Sequence, residues 1–151
     1  MTAWKPQEEE HMTPEQQAIV RESWRRFEPT VQSDASFYER LFALDPAVRH
    51  LFASVDLERL QRKLMAMLAE IVRVLDQPDV LVSEVAALGS RHLHYGVRDA
   101  DYQSVGAALL WTLEQNLGEE FTPEVRAAWT EAYLLVSTVM RRAAARAASS
   151  S

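Results

Sequence analysis

The stretch Leu88-Gly89-Ser90-Arg91-His92-Leu93-His94-Tyr95-Gly96-Val97 holds two of the chain's four histidines. Apolar residues three and four apart predict a helix from Val80 to Tyr95, closed by Gly96 as a left-handed C-terminal cap. On that helix Leu81, Val85, Leu88 and His92 share one apolar stripe, with Gly89 beside His92 leaving room. His94 falls two positions on, about 200° round the helix at ~3.6 residues per turn, with Ser90 and Arg91 on the polar side. Two histidines so placed cannot clasp one metal from a helix, as they could from a strand. His92 points inward alone. By itself, an inward histidine is more often a core residue bonded to a backbone carbonyl than a ligand. The other residues of the chain decide its role.

At 151 residues, 48% hydrophobic and 25% charged, the chain has the composition of one soluble globular domain with a substantial core. Four glycines and no alternating apolar pattern favour helices over sheets. A formal charge of −6, with no basic stripe interleaved with aromatics, argues against a grip on nucleic acid. There is no cysteine, which removes disulfides, thiol nucleophiles, thiolate metal sites and covalent haem attachment through Cys-x-x-Cys-His. The opening Met-Thr-Ala-Trp-Lys-Pro-Gln-Glu-Glu-Glu lacks a signal peptide's apolar core, and no apolar run approaches the ~18 residues of a membrane span. A cytoplasmic address without membrane contact is expected.

Residues 1–12 are polar and acidic and read as a flexible extension, with His11 idle within it. Thr13-Pro14-Glu15-Gln16 begins the first helix with a cap, a first-turn proline and a capping box; Ile19, Val20, Ser23, Trp24 and Phe27 continue it. A second helix is expected from about Thr30 to Leu44, and a short third from Pro46 to Leu51 that delivers Phe52 into a connecting segment. His50 in that short helix reads as surface. From Asp56 to Leu75, Leu57, Leu60, Leu64, Met67, Leu68, Ile71 and Leu75 keep helical spacing until Asp76-Gln77-Pro78. After the His92 helix, Asp99 is the expected cap of a helix running to Leu117, terminated by Gly118. Its stripe is Tyr102, Val105, Gly106, Leu109, Leu113 and Leu117. Thr122-Pro123-Glu124 starts the last helix, which carries Val125, Trp129, Tyr133, Val136 and Met140. It fades through Arg141, Arg142 and Arg146 into a frayed tail at 148–151. The fold class is all-α, with seven or eight helices in one domain over 13–147.

Order and spacing go further than periodicity. Phe37-Tyr38-x-x-Leu41-Phe42-x-x-Asp45-Pro46-x-x-x-x-Leu51-Phe52 comes first, then Lys63-Leu64-Met65. Leu88-Gly89-x-Arg91-His92-x-x-Tyr95-Gly96-Val97 follows, then Tyr102-x-x-Val105-Gly106 with Leu109-Leu110, then Ala127-Ala128-Trp129-x-x-Ala132-Tyr133. Together, over residues 14–142, this series resembles the globin family. The likeness is strongest to bacterial single-domain globins and the haem domain of flavohaemoglobins, with neuroglobin more distant.

The resemblance implies helices packed at steep crossings around a non-covalent haem b. It puts His92 at the proximal position, its imidazole on the iron and its other nitrogen donating to a carbonyl one turn earlier. Phe52 would lie against the porphyrin face, and Lys63 and Arg91 would meet the propionates. Leu64, Val97, Val105 and Leu109 would wall an apolar pocket that favours neutral diatomic ligands and limits water. Tyr38 matches the tyrosine that bacterial globins place over the iron, where a buried hydroxyl donates to bound O2. The other reading of Tyr38 is a core tyrosine bonded to a backbone carbonyl.

Two positions depart from the pattern. Where a distal His or Gln is usual stands Leu60, which can neither ligate nor donate; Gln61 becomes distal if the register slips by one. On the proximal side Tyr102 matches a supporting tyrosine of flavohaemoglobins, but the partner glutamate falls near Ala144, weakening the push toward O–O cleavage. The expectation is reversible binding of O2 and related diatomics such as NO and CO, for transport or storage. Other readings are an NO dioxygenase or nitrite- or peroxide-reactive enzyme served by an external reductase, and a haem-based gas sensor acting through a partner protein. No Ser/His/Asp or paired-carboxylate set supports a hydrolase.

Overall fold

The computed structural model describes residues 12–28, 36–52, 54–94 and 98–149, with the side chains of residues 90–94, 99 and 149 excepted. Six α-helices follow one another: α1 Pro14–Phe27, α2 Ser36–Leu44, α3 Leu57–Arg73, α4 Pro78–His94, α5 Asp99–Leu117 and α6 Pro123–Ser149. Short 3-10 helices at Pro46–Phe52 and Gly118–Glu120 complete the described elements, and no strand occurs among the described residues. No helix among the described residues is long and apolar enough to cross a membrane.

Local chemistry accounts for most of the boundaries. The Thr13 hydroxyl accepts from the Gln16 amide at 3.1 Å, and the Gln16 side chain accepts from the Thr13 amide at 3.1 Å. That reciprocal pair satisfies two amides that no helical carbonyl reaches. Asp56 caps α3 by accepting from Glu58 and Arg59, and the Thr122 hydroxyl accepts from Val125 at the start of α6. Gly118 ends α5 at φ +57°, a conformation glycine adopts without a Cβ clash.

The expected start of α2 near Thr30 falls on residues 29–35, outside the described residues, which resume at Ser36. Other boundaries differ from expectation. Phe52 is the last residue of the 3-10 helix rather than part of a connector. Helix α3 stops at Arg73, and Leu75 is buried in the turn beyond it. Asp99 is not the cap of α5. The cap is Arg98, whose amide donates to the buried Asp101 carboxylate at 2.8 Å while its guanidinium pairs with the same group at 2.9 Å. Burial pushes the Asp101 carboxyl upward, but the Arg98 hydrogen bonds outweigh it and hold the group below the usual carboxylate range. The expected Gly96 cap lies outside the described residues.

The core forms where α1, α2, α5 and α6 meet, and α4 lies along α6. From α1, Val20, Ser23, Trp24 and Phe27 are buried. Ser23 is the polar member: the Trp129 indole donates to its hydroxyl at 2.8 Å, and the hydroxyl donates onward to the Ile19 carbonyl at 2.7 Å. The Trp24 and Trp129 rings sit 6.2 Å apart, tilted, joining α1 to α6.

Helix α3 is the exception to this close packing. Its inner stripe is strongly amphipathic, yet Leu57, Leu60, Leu64, Met67 and Leu68 are only half-buried, and burial resumes at Ile71. Five apolar side chains thus remain partly uncovered on the inner side of one helix.

Candidate functional site

Tyr38 stands in the first turn of α2 with 6% of its surface exposed. Its ring meets Phe37 edge-on at 4.8 Å and Phe52 at 5.3 Å, with Phe42 6.5 Å away. Phe52 reaches it because Asp45 and Pro46 end α2 and start the 3-10 helix. Asp45 accepts from the Ala47 amide at 3.2 Å and, through its other oxygen, from the Ser104 hydroxyl of α5 at 2.9 Å. A single carboxylate therefore fixes the turn and ties it to α5.

Burial pushes the Tyr38 hydroxyl well above the ordinary tyrosine value, so it stays protonated and able to donate. No described residue accepts a hydrogen bond from it. The core-tyrosine alternative, with the hydroxyl on a backbone carbonyl, thus has no partner among the described residues. Partly desolvated in this way, the hydroxyl is free to donate to a molecule brought to it.

Across from α2, the neighbouring residues Leu60 and Gln61 have different surroundings. Leu60 and Leu64 belong to the half-covered stripe of α3. Gln61 is 2% exposed, and its side-chain oxygen accepts from the Phe37 amide at 3.0 Å. Gln61 therefore faces the α2 main chain. Lys63 is exposed.

His92 lies in α4 by its backbone; its side chain and that of Arg91, like the whole of Val97, fall outside the described residues. Gly89, one turn before His92, is buried. A Cβ on it would come within 2.7 Å of the Met140 Cα and closer still to the Met140 carbonyl oxygen. The room expected beside His92 is taken by the main chain of α6. We expect Gly89→Ala to lower stability by about 2 kcal/mol in urea unfolding, since overpacking against backbone outweighs the ~1 kcal/mol helix-propensity advantage of alanine. An unchanged unfolding midpoint would count against this helix contact.

On α5, Tyr102 and Leu109 are buried and Val105 is half-buried. The Tyr133 hydroxyl of α6 donates to the Tyr102 carbonyl. The Tyr133 ring passes over Gly106, where a Cβ would meet ring carbon Cε2 at 2.6 Å. Burial, with Tyr102 adding to it, keeps the Tyr133 hydroxyl protonated above its ordinary value. This α5–α6 clamp and the Gln61 contact were not anticipated from sequence. Gly106 within an otherwise bulky stripe was the available sign of the first. Ala144, at the position where a supporting carboxylate was sought, is half-buried on α6.

A family model described as Globin matches residues 35–140. The chain is 30% identical over 149 residues to the anaerobic nitrite reductase AHB2 of Arabidopsis thaliana, covering 86% of this chain and 94% of that protein. It is 28% identical over 147 residues to neuroglobin-1 of Oncorhynchus mykiss, covering 88% and 92%. It is 31% identical over 109 residues to a flavohemoprotein of Xylella fastidiosa, spanning 70% of this chain but 27% of that protein. Among solved structures, a hexacoordinated heme protein from an anhydrobiotic tardigrade superposes with a TM-score of 0.79 over 89% of this chain and 96% of that one. At 16% identity that likeness speaks for the fold alone. Matched by the family model over most of its length, the chain belongs to the globin family.

Proposed function

We propose that this globin holds haem b with His92 as the protein ligand of the iron, and binds O2 reversibly with Tyr38 as the polar contact to the ligand. The observation that carries this reading is Tyr38: a buried residue with its ring beside Phe52 and a protonated hydroxyl that has no acceptor among the described residues. The half-covered stripe of α3 offers the apolar surface that a flat macrocycle would cover, so the residues present fit the group. When bound, haem supplies an iron able to take O2, NO or CO.

The chain's own residues then have distinct tasks. His92 holds the iron from α4. Phe52 lies against the macrocycle, while Leu64, Val97, Val105 and Leu109 exclude water. Lys63 and Arg91 meet the propionates, and Tyr102 backs the proximal side. Leu60 neither ligates nor donates, which leaves Tyr38 as the main donor to a diatomic held there, and its hydroxyl hydrogen bond slows ligand escape. The domain proper spans 13–147, flanked by the N-terminal extension and a short tail, in a cytoplasmic protein devoted to oxygen transport or storage.

The likeness to a plant anaerobic nitrite reductase favours a second reading, turnover of nitrite or NO with electrons from a separate reductase. Two measurements test the pair. Haemin titrated into the haem-free protein should saturate at one equivalent with a Soret band; no uptake overturns both readings. With nitrite and a reductant in excess and no oxygen, the oxygen-carrier reading predicts about one NO per haem, whereas sustained many-fold release would make the protein an enzyme.

A further inference from the structure

Gln61 is the most buried polar residue on α3, among side chains that are otherwise apolar on that face. A buried amide needs partners, and its oxygen finds one 24 residues back along the chain, at the Phe37 amide 3.0 Å away. That amide lies one residue beyond the described start of α2 at Ser36, so a side chain of α3 is bonded to the main chain of α2 at the end that carries Tyr38.

The bonded amide belongs to the residue immediately before Tyr38. Phe37 also holds the Tyr38 ring edge-on, at 4.8 Å and 90°. Leu60 precedes Gln61, and Leu64 follows one turn later on the half-covered stripe. The hydrogen bond therefore locks the depth and rotation of the first turn of α2 against the helix that walls the pocket. We infer that Gln61 is a positioning residue: it aims the Tyr38 hydroxyl at the bound diatomic through the Phe37 amide, without touching the ligand. The inference rests on the reading of Tyr38 as the ligand's donor.

The test uses the full-length haem-loaded protein in its ferrous CO and O2 forms. Gln61→Met keeps volume and removes the acceptor; Gln61→Leu does the same should the first variant fail to take up haem. Gln61→Glu keeps an acceptor oxygen. With the acceptor gone, the C–O stretch should move toward the value seen in Tyr38→Phe, and O2 should leave about tenfold faster, the worth of one neutral hydrogen bond. Amide exchange at Phe37, followed by NMR in the CO form, should quicken as well. Gln61→Glu should stay near wild type, and Gln61→Met should add nothing in a Tyr38→Phe background.

The inference is overturned if Gln61→Met speeds release equally in the wild-type and Tyr38→Phe backgrounds, or if it leaves the C–O stretch or Phe37 exchange at wild-type values. A Tyr38→Phe variant that is itself silent in stretch and release overturns the underlying reading of Tyr38, and this inference with it. That outcome is separable, because it is read without any change at Gln61.

Discussion

Replacing His92 by glycine should abolish the absorption spectrum of a histidine-ligated haem, and added imidazole should restore it by filling the space left behind. The expectation follows from how few alternatives the chain has. His50 is exposed in the 3-10 helix, its Nδ1 2.5 Å from the Ala47 carbonyl. His94 shares α4 with His92 but stands about 200° round the helix, so it cannot take over without unwinding the turn. In the proposed site axial ligation would rest on one imidazole, and its removal would forfeit orientation as well as the bond itself. The readout is the ferrous and ferric spectrum of His92→Gly with and without imidazole. A variant with the wild-type spectrum would remove His92 from the site.

Tyr38→Phe should speed O2 dissociation about 10- to 100-fold, the range set by losing a buried hydrogen bond worth ~1–3 kcal/mol. Ring packing against Phe37, Phe42 and Phe52 survives this change, so the effect isolates the hydroxyl. The haem-free protein should respond in the opposite sense. Because no described residue accepts from the hydroxyl, removing it should leave stability in urea unchanged or raised. A tyrosine anchored to the protein would instead lose about 1 kcal/mol on truncation. The wild-type dissociation rate should also stay flat with pH up to the ordinary tyrosine value of about 10, since burial holds the hydroxyl protonated beyond it. Unchanged dissociation together with a destabilised apoprotein would make Tyr38 a structural residue.

What could be read from sequence was local or repetitive. The Thr13–Gln16 capping box, the Thr122 start of the last helix and the Gly118 terminus depend on residues within one turn of each other, and each forms as expected. Stripes such as Val20–Trp24–Phe27 and Leu109–Leu113–Leu117 were visible for the same reason. The order of short motifs carried the family. What escaped depends on contacts between distant segments. At the start of α5 the expected cap was Asp99, whereas Arg98 bonds Asp101 through both backbone and side chain. Gln61 reads in sequence only as a distal residue should the register slip by one; its bond to the Phe37 amide joins positions 24 residues apart and is visible only in the fold. Gly89 reads in sequence as room beside His92; what occupies that room, the Met140 backbone, is 51 residues away. In sequence, only the resemblance singled out Leu60 and Leu64 from the rest of the α3 stripe. Its incomplete burial, visible only with neighbours in place, supports the proposal that it walls a site.

The most direct test of the central claim is an oxygenation cycle. Haem-loaded ferrous protein would be exposed to O2, returned to vacuum or argon and followed by its visible spectrum over several rounds. Reversible passage between deoxygenated and oxygenated spectra, with little ferric protein accumulating, is the predicted result. Conversion to the ferric form on first contact with O2, or a ferrous spectrum indifferent to O2, would contradict the account.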